Sequence, residues 1–122
     1  MRILIDTSIW IDHLRRSDTR LEALLRRKQA FAHPFVIGEI ALGPMRDYDF
    51  VIQSFLKLPQ AAVAPEGEVL SLIRQNGLMG SGIGYVDAHL LASATLAPGM
   101  SLWTRDRRLH AAADRLSLAY AP

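Results

Sequence analysis

The chain has 122 residues, half of them apolar, with no cysteine and with fourteen Lys and Arg against twelve Asp and Glu, a formal charge of +2. This length suits one folding unit with a sizeable core, expected to span residues 1–122, and the lack of cysteine excludes disulfides, thiolate metal sites and a cysteine nucleophile. No segment reads as a secretion signal or a membrane span, the longest uncharged stretch, Leu90 to Thr104, being broken by Pro98-Gly99, so a soluble cytoplasmic protein is expected.

Arg2 to Ile5 is short, apolar and rich in β-branched side chains, which predicts a buried strand ended by Asp6-Thr7-Ser8. Ile9, Trp10, His13 and Leu14 share a helical period, predicting a helix from Ser8 to Arg16 with Thr7 or Ser8 near its N-cap. Asp18 can cap a second helix that turns Leu21, Leu24 and Leu25 inward and Arg20, Arg26, Arg27 and Lys28 outward. Gln29 to His33 reads as a short strand. Pro34 suits the first turn of a third helix reaching Leu42, apolar on nearly every side, so that it reads as buried with Glu39 its only charge. Gly43-Pro44 stops it, and a helix from Tyr48 to Leu58 is closed by Pro59. Ala61 to Ala64 reads as a strand, Glu66 to Asn76 as a helix and Gly77 to Gly84 as a glycine-rich loop. Tyr85 to Leu96 is a second apolar helix with Asp87 in its first turn. Ser101 to Thr104 reads as a strand, Asp106 to Leu116 as a helix and Leu118 to Tyr120 as the last strand. This alternation predicts an α/β fold, a mainly parallel sheet of about five strands flanked by helices, with ligands gathering at the carboxyl ends of the strands.

Four acids, Asp6, Glu39, Asp87 and Asp106, each stand alone in or beside an apolar segment. An unpaired buried carboxylate is costly or shifts its pKa, so the four together ask for a common cation. Each of three also has a plainer use: Asp6 and Asp106 can cap the helices that follow them, and Asp87 can favour the positive end of its own. Glu39 has no Lys or Arg three or four residues away to serve as its partner. Oxygen-only donors suit Mg²⁺ or Mn²⁺, not structural zinc. Ser8 can orient a carboxylate or cap a helix, and Arg105 and Arg107, flanking Asp106, are the cations best placed to meet a phosphate. The other cations read as solvated helix faces. His13, His33, His89 and His110 show no zinc spacing, and the glycine segment lacks the Lys-Ser/Thr ending of a phosphate loop. With the four acids set aside, fourteen cations face eight acids, an excess of +6 that suits a polyanionic substrate.

Asp6-Thr7-Ser8, Gly38-Glu39-Ile40, Tyr85-Val86-Asp87-Ala88 and Trp103-Thr104-Arg105-Asp106 resemble, in order and with similar gaps over nearly the whole chain, the signature segments of PIN-domain ribonucleases. The resemblance is to the toxins of bacterial type II toxin–antitoxin pairs, the VapC class. It implies a three-layer PIN-like fold and a metal-dependent endoribonuclease using Mg²⁺ or Mn²⁺, with Asp6, Glu39, Asp87 and Asp106 as catalytic and metal-binding residues. Ser8 matches a small polar position beside the first acid, and Arg105 and Arg107 are candidates for RNA contact. The resemblance also implies an RNA substrate, a cognate antitoxin and a homodimer. Two other classes fit parts of the pattern: a phosphatase or phosphoacceptor domain, which would want a second acid beside Asp6, and a non-catalytic metal- or partner-binding module.

Overall fold

The computed structural model describes residues 1–122. Three parallel strands form the centre: β1 (Arg2–Ile5) lies between β2 (Ala30–Phe31) and β3 (Met100–Trp103). Ile3, Leu4 and Ile5 have no exposed surface, as expected of a central parallel strand covered on both faces. Single parallel bridges extend each edge, Ala32 to Gln60 on one side and Leu102 to Ala119 on the other. Five parallel segments thus lie in the order Gln60, β2, β1, β3, Ala119, of which three are regular strands.

The two outer segments are shorter than their sequences suggest. At one edge the Ala62 carbonyl accepts the Ser93 hydroxyl at 2.8 Å instead of joining a ladder, and Ala62 and Val63 are exposed. At the other, Leu102 exchanges two bonds with the Leu118–Tyr120 segment and no further strand stabilises it.

Seven helices flank the sheet: α1 (Thr7–Arg15), α2 (Thr19–Arg26), α3 (Pro34–Ala41), α4 (Tyr48–Leu56), α5 (Glu66–Gln75), α6 (Tyr85–Leu96) and α7 (Arg107–Arg115). Their ends follow local chemistry. Asp18 caps α2 by accepting the Leu21 N–H at 2.9 Å, and Pro34 occupies the first turn of α3. Gly77 follows α5 with φ +61°, a left-handed turn that glycine adopts at little cost. α6 is buried from Ala88 to Ala94 and packs on α5 and β3.

α3 departs from expectation. It buries Val36, Ile37 and Ile40, but Pro34, Phe35, Gly38 and Glu39 are exposed, as is Leu42 at its end. An all-apolar composition shows what a helix can bury. In a chain this short, α1 and α4 cover only one side of α3, so Glu39 lies at the surface. Leu42 and Phe50, at 91% and 74% exposure, leave an apolar surface around α3 and α4.

His33 joins the sheet to α3 and α6. It is fully buried; its Nδ1 accepts the Phe35 N–H at 3.0 Å as the α3 cap, which places the ring proton on Nε2, 3.1 Å from the Ser93 hydroxyl. Burial, reinforced by the nearby His89, lowers its pKa from 6.5 to about 4. The unfolded chain therefore binds this proton at a higher pH than the native state. The stability that neutral His33 contributes should be present in full above about pH 6.5, fall as the pH drops toward 4, and fall no further below it. Unfolding free energies from urea titration across that window should decline with a component of up to about 1.4 kcal/mol per pH unit that His33→Asn removes. Parallel pH profiles for the two proteins would contradict this assignment.

Candidate active site

The carboxyl edge of the sheet gathers the acids because the strands that end there are neighbours. Asp6 directly follows β1, and its N–H donates to the Trp103 carbonyl of β3 at 3.0 Å. Its side chain, only 6% exposed, does not cap α1. Both the Ser8 and the Thr104 hydroxyls donate to its Oδ2, at 2.8 and 2.7 Å. The Thr104 oxygen in turn accepts the Asp106 N–H at 3.0 Å, so one hydroxyl ties the acid after β1 to the acid after β3.

The other three acids come from helix beginnings or faces. Asp106 does cap α7, its Oδ1 accepting the N–H groups of Arg108 and Leu109, both at 2.9 Å. Asp87 lies in the first turn of α6, where its Oδ2 accepts the Gly84 N–H at 3.1 Å. Glu39 reaches from α3 to the start of α1, accepting the Thr7 hydroxyl on Oε1 at 2.8 Å. One pattern unites the set: each carboxylate commits one oxygen to protein donors and keeps the other free of them.

Electrostatics shows that they share a neighbourhood. The Asp87 pKa is raised, first by desolvation and then by the charges of Asp6, Asp106 and Glu39, against the lowering effect of the Gly84 N–H bond. Convergence stops short of a ready cage, since no group of three or more Asp, Glu or His side chains is arranged to hold a metal ion. Glu39 and Asp106 are exposed, and burial does not hold their side chains. The donor chemistry fits a hard divalent cation: oxygen only, one free oxygen per acid, and a half-buried carboxylate whose raised pKa a nearby positive charge would reverse. The burial argument made from sequence thus applies to Asp6 and Asp87 but not to Glu39 and Asp106, which are exposed.

Ser8 supports Asp6 directly. Arg105 is not free: its guanidinium contacts Asp12 at 2.6 Å and Asp18 at 3.4 Å. Arg107, exposed at the start of α7, has no ion-pair partner. Sequence reasoning missed the hydroxyls of Thr7 and Thr104. A signal was present for the second, because Thr104 stands two residues before one acid just as Ser8 stands two after another.

The PIN-domain family model matches residues 3–115, and the chain belongs to this family. Within the family its likeness is to the VapC class: it is 47% identical over 119 residues to Ribonuclease VapC32 of Mycobacterium tuberculosis, an alignment covering 98% of this chain and 96% of that protein. The fold also resembles two crystal structures. PAE2754 from Pyrobaculum aerophilum has a TM-score of 0.60 at 19% identity, over 92% of this chain and 79% of that one. FitAcB from Neisseria gonorrhoeae has a TM-score of 0.62 at 23% identity, over 92% of this chain and 93% of that one. The fold expected from the sequence is therefore the fold the protein has.

Because charged Asp87 is disfavoured in the native state, removing its charge should stabilise the metal-free protein. Asp87→Asn should raise the chelator-treated unfolding free energy at pH 7. The raised pKa fixes the sign: the advantage over wild type should shrink as acid protonates the wild-type carboxyl and close below the ordinary value of 3.8. A variant less stable than wild type at pH 7 would show that the Gly84 bond outweighs the repulsion.

Proposed function

We propose that residues 1–122 act as one metal-dependent endoribonuclease domain, with Asp6, Glu39, Asp87 and Asp106 as its catalytic and metal-binding residues. The observation that supports the reading is that Asp6, Glu39 and Asp106 are near enough for their charges to help raise the Asp87 pKa, while each of the four carboxylates has one oxygen held by protein donors and one free. Identity to Ribonuclease VapC32 supports RNA as the substrate.

Mg²⁺ or Mn²⁺ would be held by the free oxygens and would supply Lewis acidity, acidifying water and neutralising charge on the phosphodiester. The protein's own work is aim. Ser8 and Thr104 hold Asp6 Oδ2 and leave Oδ1 free; the first turn of α7 holds Asp106, the start of α6 holds Asp87, and Thr7 holds one oxygen of Glu39. Arg107, unpaired beside Asp106, is available to meet a phosphate of the RNA.

In the cell we assign the protein the role of toxin in a type II toxin–antitoxin pair, acting in the cytoplasm and restrained by a cognate antitoxin. The VapC likeness supports this assignment. The exposed Leu42 and Phe50 on and near α3 and α4 are suited to a homodimer or antitoxin contact.

Purified protein should cleave RNA with Mg²⁺ or Mn²⁺ and not with chelator, and Asp6→Asn should lower the rate roughly 100-fold or more while keeping the fold. Millimolar Mn²⁺ should raise the melting temperature of wild type more than that of Asp6→Asn. Induced expression should arrest growth for wild type and not for Asp6→Asn at equal protein levels. Intact RNA and equal growth in both cases would leave only a non-catalytic binding module.

A further inference from the structure

We infer that Arg105 is a positioning residue for the acidic site and not a phosphate contact: three points of the α1–α2 hairpin grip it, and through it they fix the turn that presents Thr104 and Asp106. The inference rests on the nuclease reading of the site and adds to it a residue whose side chain touches none of the four acids.

The turn between β3 and α7 consists of Thr104, Arg105 and Asp106 alone. Its two outer residues are already engaged, Thr104 with Asp6 and Asp106 with the first turn of α7. The middle residue is held from one helix face. Ser8 and Asp12 stand one turn apart on α1, and both face Arg105. The Ser8 hydroxyl oxygen accepts the Arg105 N–H at 3.2 Å while donating its own proton to Asp6, and Asp12 Oδ2 lies 2.6 Å from Arg105 Nε. The third point is Asp18 Oδ2, 3.4 Å from the guanidinium.

Asp18 is held independently of Arg105. Its Oδ1 caps α2 and its N–H donates to the His13 ring at 3.0 Å, so little freedom remains to be lost when the arginine arrives. These two ion pairs are the only ones in the protein, and a single one of its fourteen cations makes both. An exposed ion pair adds little to global stability. Its consequence here is local. Loosening Arg105 frees the main-chain N–H that Ser8 receives, and with it the hydroxyl that shares Asp6 Oδ2 with Thr104. A guanidinium already facing two carboxylates is also poorly placed to neutralise an RNA phosphate.

The test uses Arg105→Gln, Asp12→Asn, their combination, and the conservative Arg105→Lys, each checked for folding by urea unfolding. Mn²⁺ affinity is read by paramagnetic resonance titration, and kcat and KM by cleavage of a short RNA. Arg105→Gln and Asp12→Asn should each weaken Mn²⁺ binding and lower kcat by about tenfold, the range seen when a ligand's own supports are removed, with KM changed by less than about twofold. The double variant should be no worse than either single, and Arg105→Lys, which keeps a cation facing Asp12 and Asp18, should lose less than Arg105→Gln. The inference is overturned if Asp12→Asn behaves as wild type while Arg105→Gln raises KM and reduces the salt slope of RNA binding by about one, the mark of a lost phosphate contact. Losses that add in the double variant, with all the proteins folded, also overturn it. Should wild type cleave no RNA, the nuclease reading fails by itself. The clamp is then decided by hydrogen exchange at the Arg105 and Asp106 amides, which Arg105→Gln and Asp12→Asn should both accelerate; unchanged exchange rejects it.

Discussion

A nearly buried carboxylate at the end of a fully buried strand is the constraint on which this structure turns. Asp6 follows three residues with no exposed surface and is itself 6% exposed. A charge in that position must be satisfied locally or the strand end cannot stay where it is. The two hydroxyls that satisfy it come from different elements, Ser8 from α1 and Thr104 from the end of β3. Holding Asp6 therefore also fixes the β1–β3 register, in which Ile5 pairs with Trp103, and the angle at which α1 leaves the sheet. Thr104 passes the constraint on by accepting the Asp106 N–H, so one hydrogen-bonded chain runs through two strand-to-helix turns.

Much of this was legible in the residues. The bounds of α6, Tyr85–Leu96, match the sequence reading at both ends because Gly84 and Pro98 punctuate it, and Asp18 and Pro34 announced the starts of α2 and α3. Four of the five parallel segments overlap runs read as strands, while the fifth bridges at Gln60, one residue before the expected Ala61 to Ala64. Their lengths were not legible, because an edge strand is only as long as the partner on its one bonded side, and Ala62 turns its carbonyl to a side chain instead. The exposure of Glu39 was hidden for a related reason. Apolar residues all around a helix state its affinity for a core, whereas the number of neighbours available to cover it depends on the rest of the chain. Thr104 meets Asp6 across 98 residues, a separation that periodicity cannot register.

The fate of the plainer readings also carries information. Capping was a fair account of Asp6 and Asp106 taken singly, and it holds for Asp106 but not for Asp6; Asp87, expected only to favour the positive end of α6, accepts the Gly84 N–H there. Where it holds, it does not compete with a second role, because a cap uses one oxygen of two. A main-chain N–H at a helix start is a rigid donor, so the capped oxygen fixes the direction in which its twin points. Helix beginnings placed at the carboxyl edge of a parallel sheet thus act as mounts for acidic ligands, and the sheet's strand order decides which mounts face each other.

The raised pKa of Asp87 shows what this arrangement costs. A Gly84 N–H bond and the positive end of α6 both favour its charged form, yet desolvation and the charges of Asp6, Asp106 and Glu39 prevail. The free oxygens therefore repel one another, and the acids rest farther apart than ligands of one ion would. A cation bound among them, as proposed above, would offset the charge repulsion that adds to desolvation in raising the Asp87 pKa, and so would favour its charged form. Under that proposal, ionisation of Asp87 and occupancy by a divalent ion would be linked, each favouring the other by the same free energy. The supports that aim the acids, Ser8 and Thr104 at Asp6 and the helix mounts at Asp87 and Asp106, keep the repelled groups within reach of that exchange.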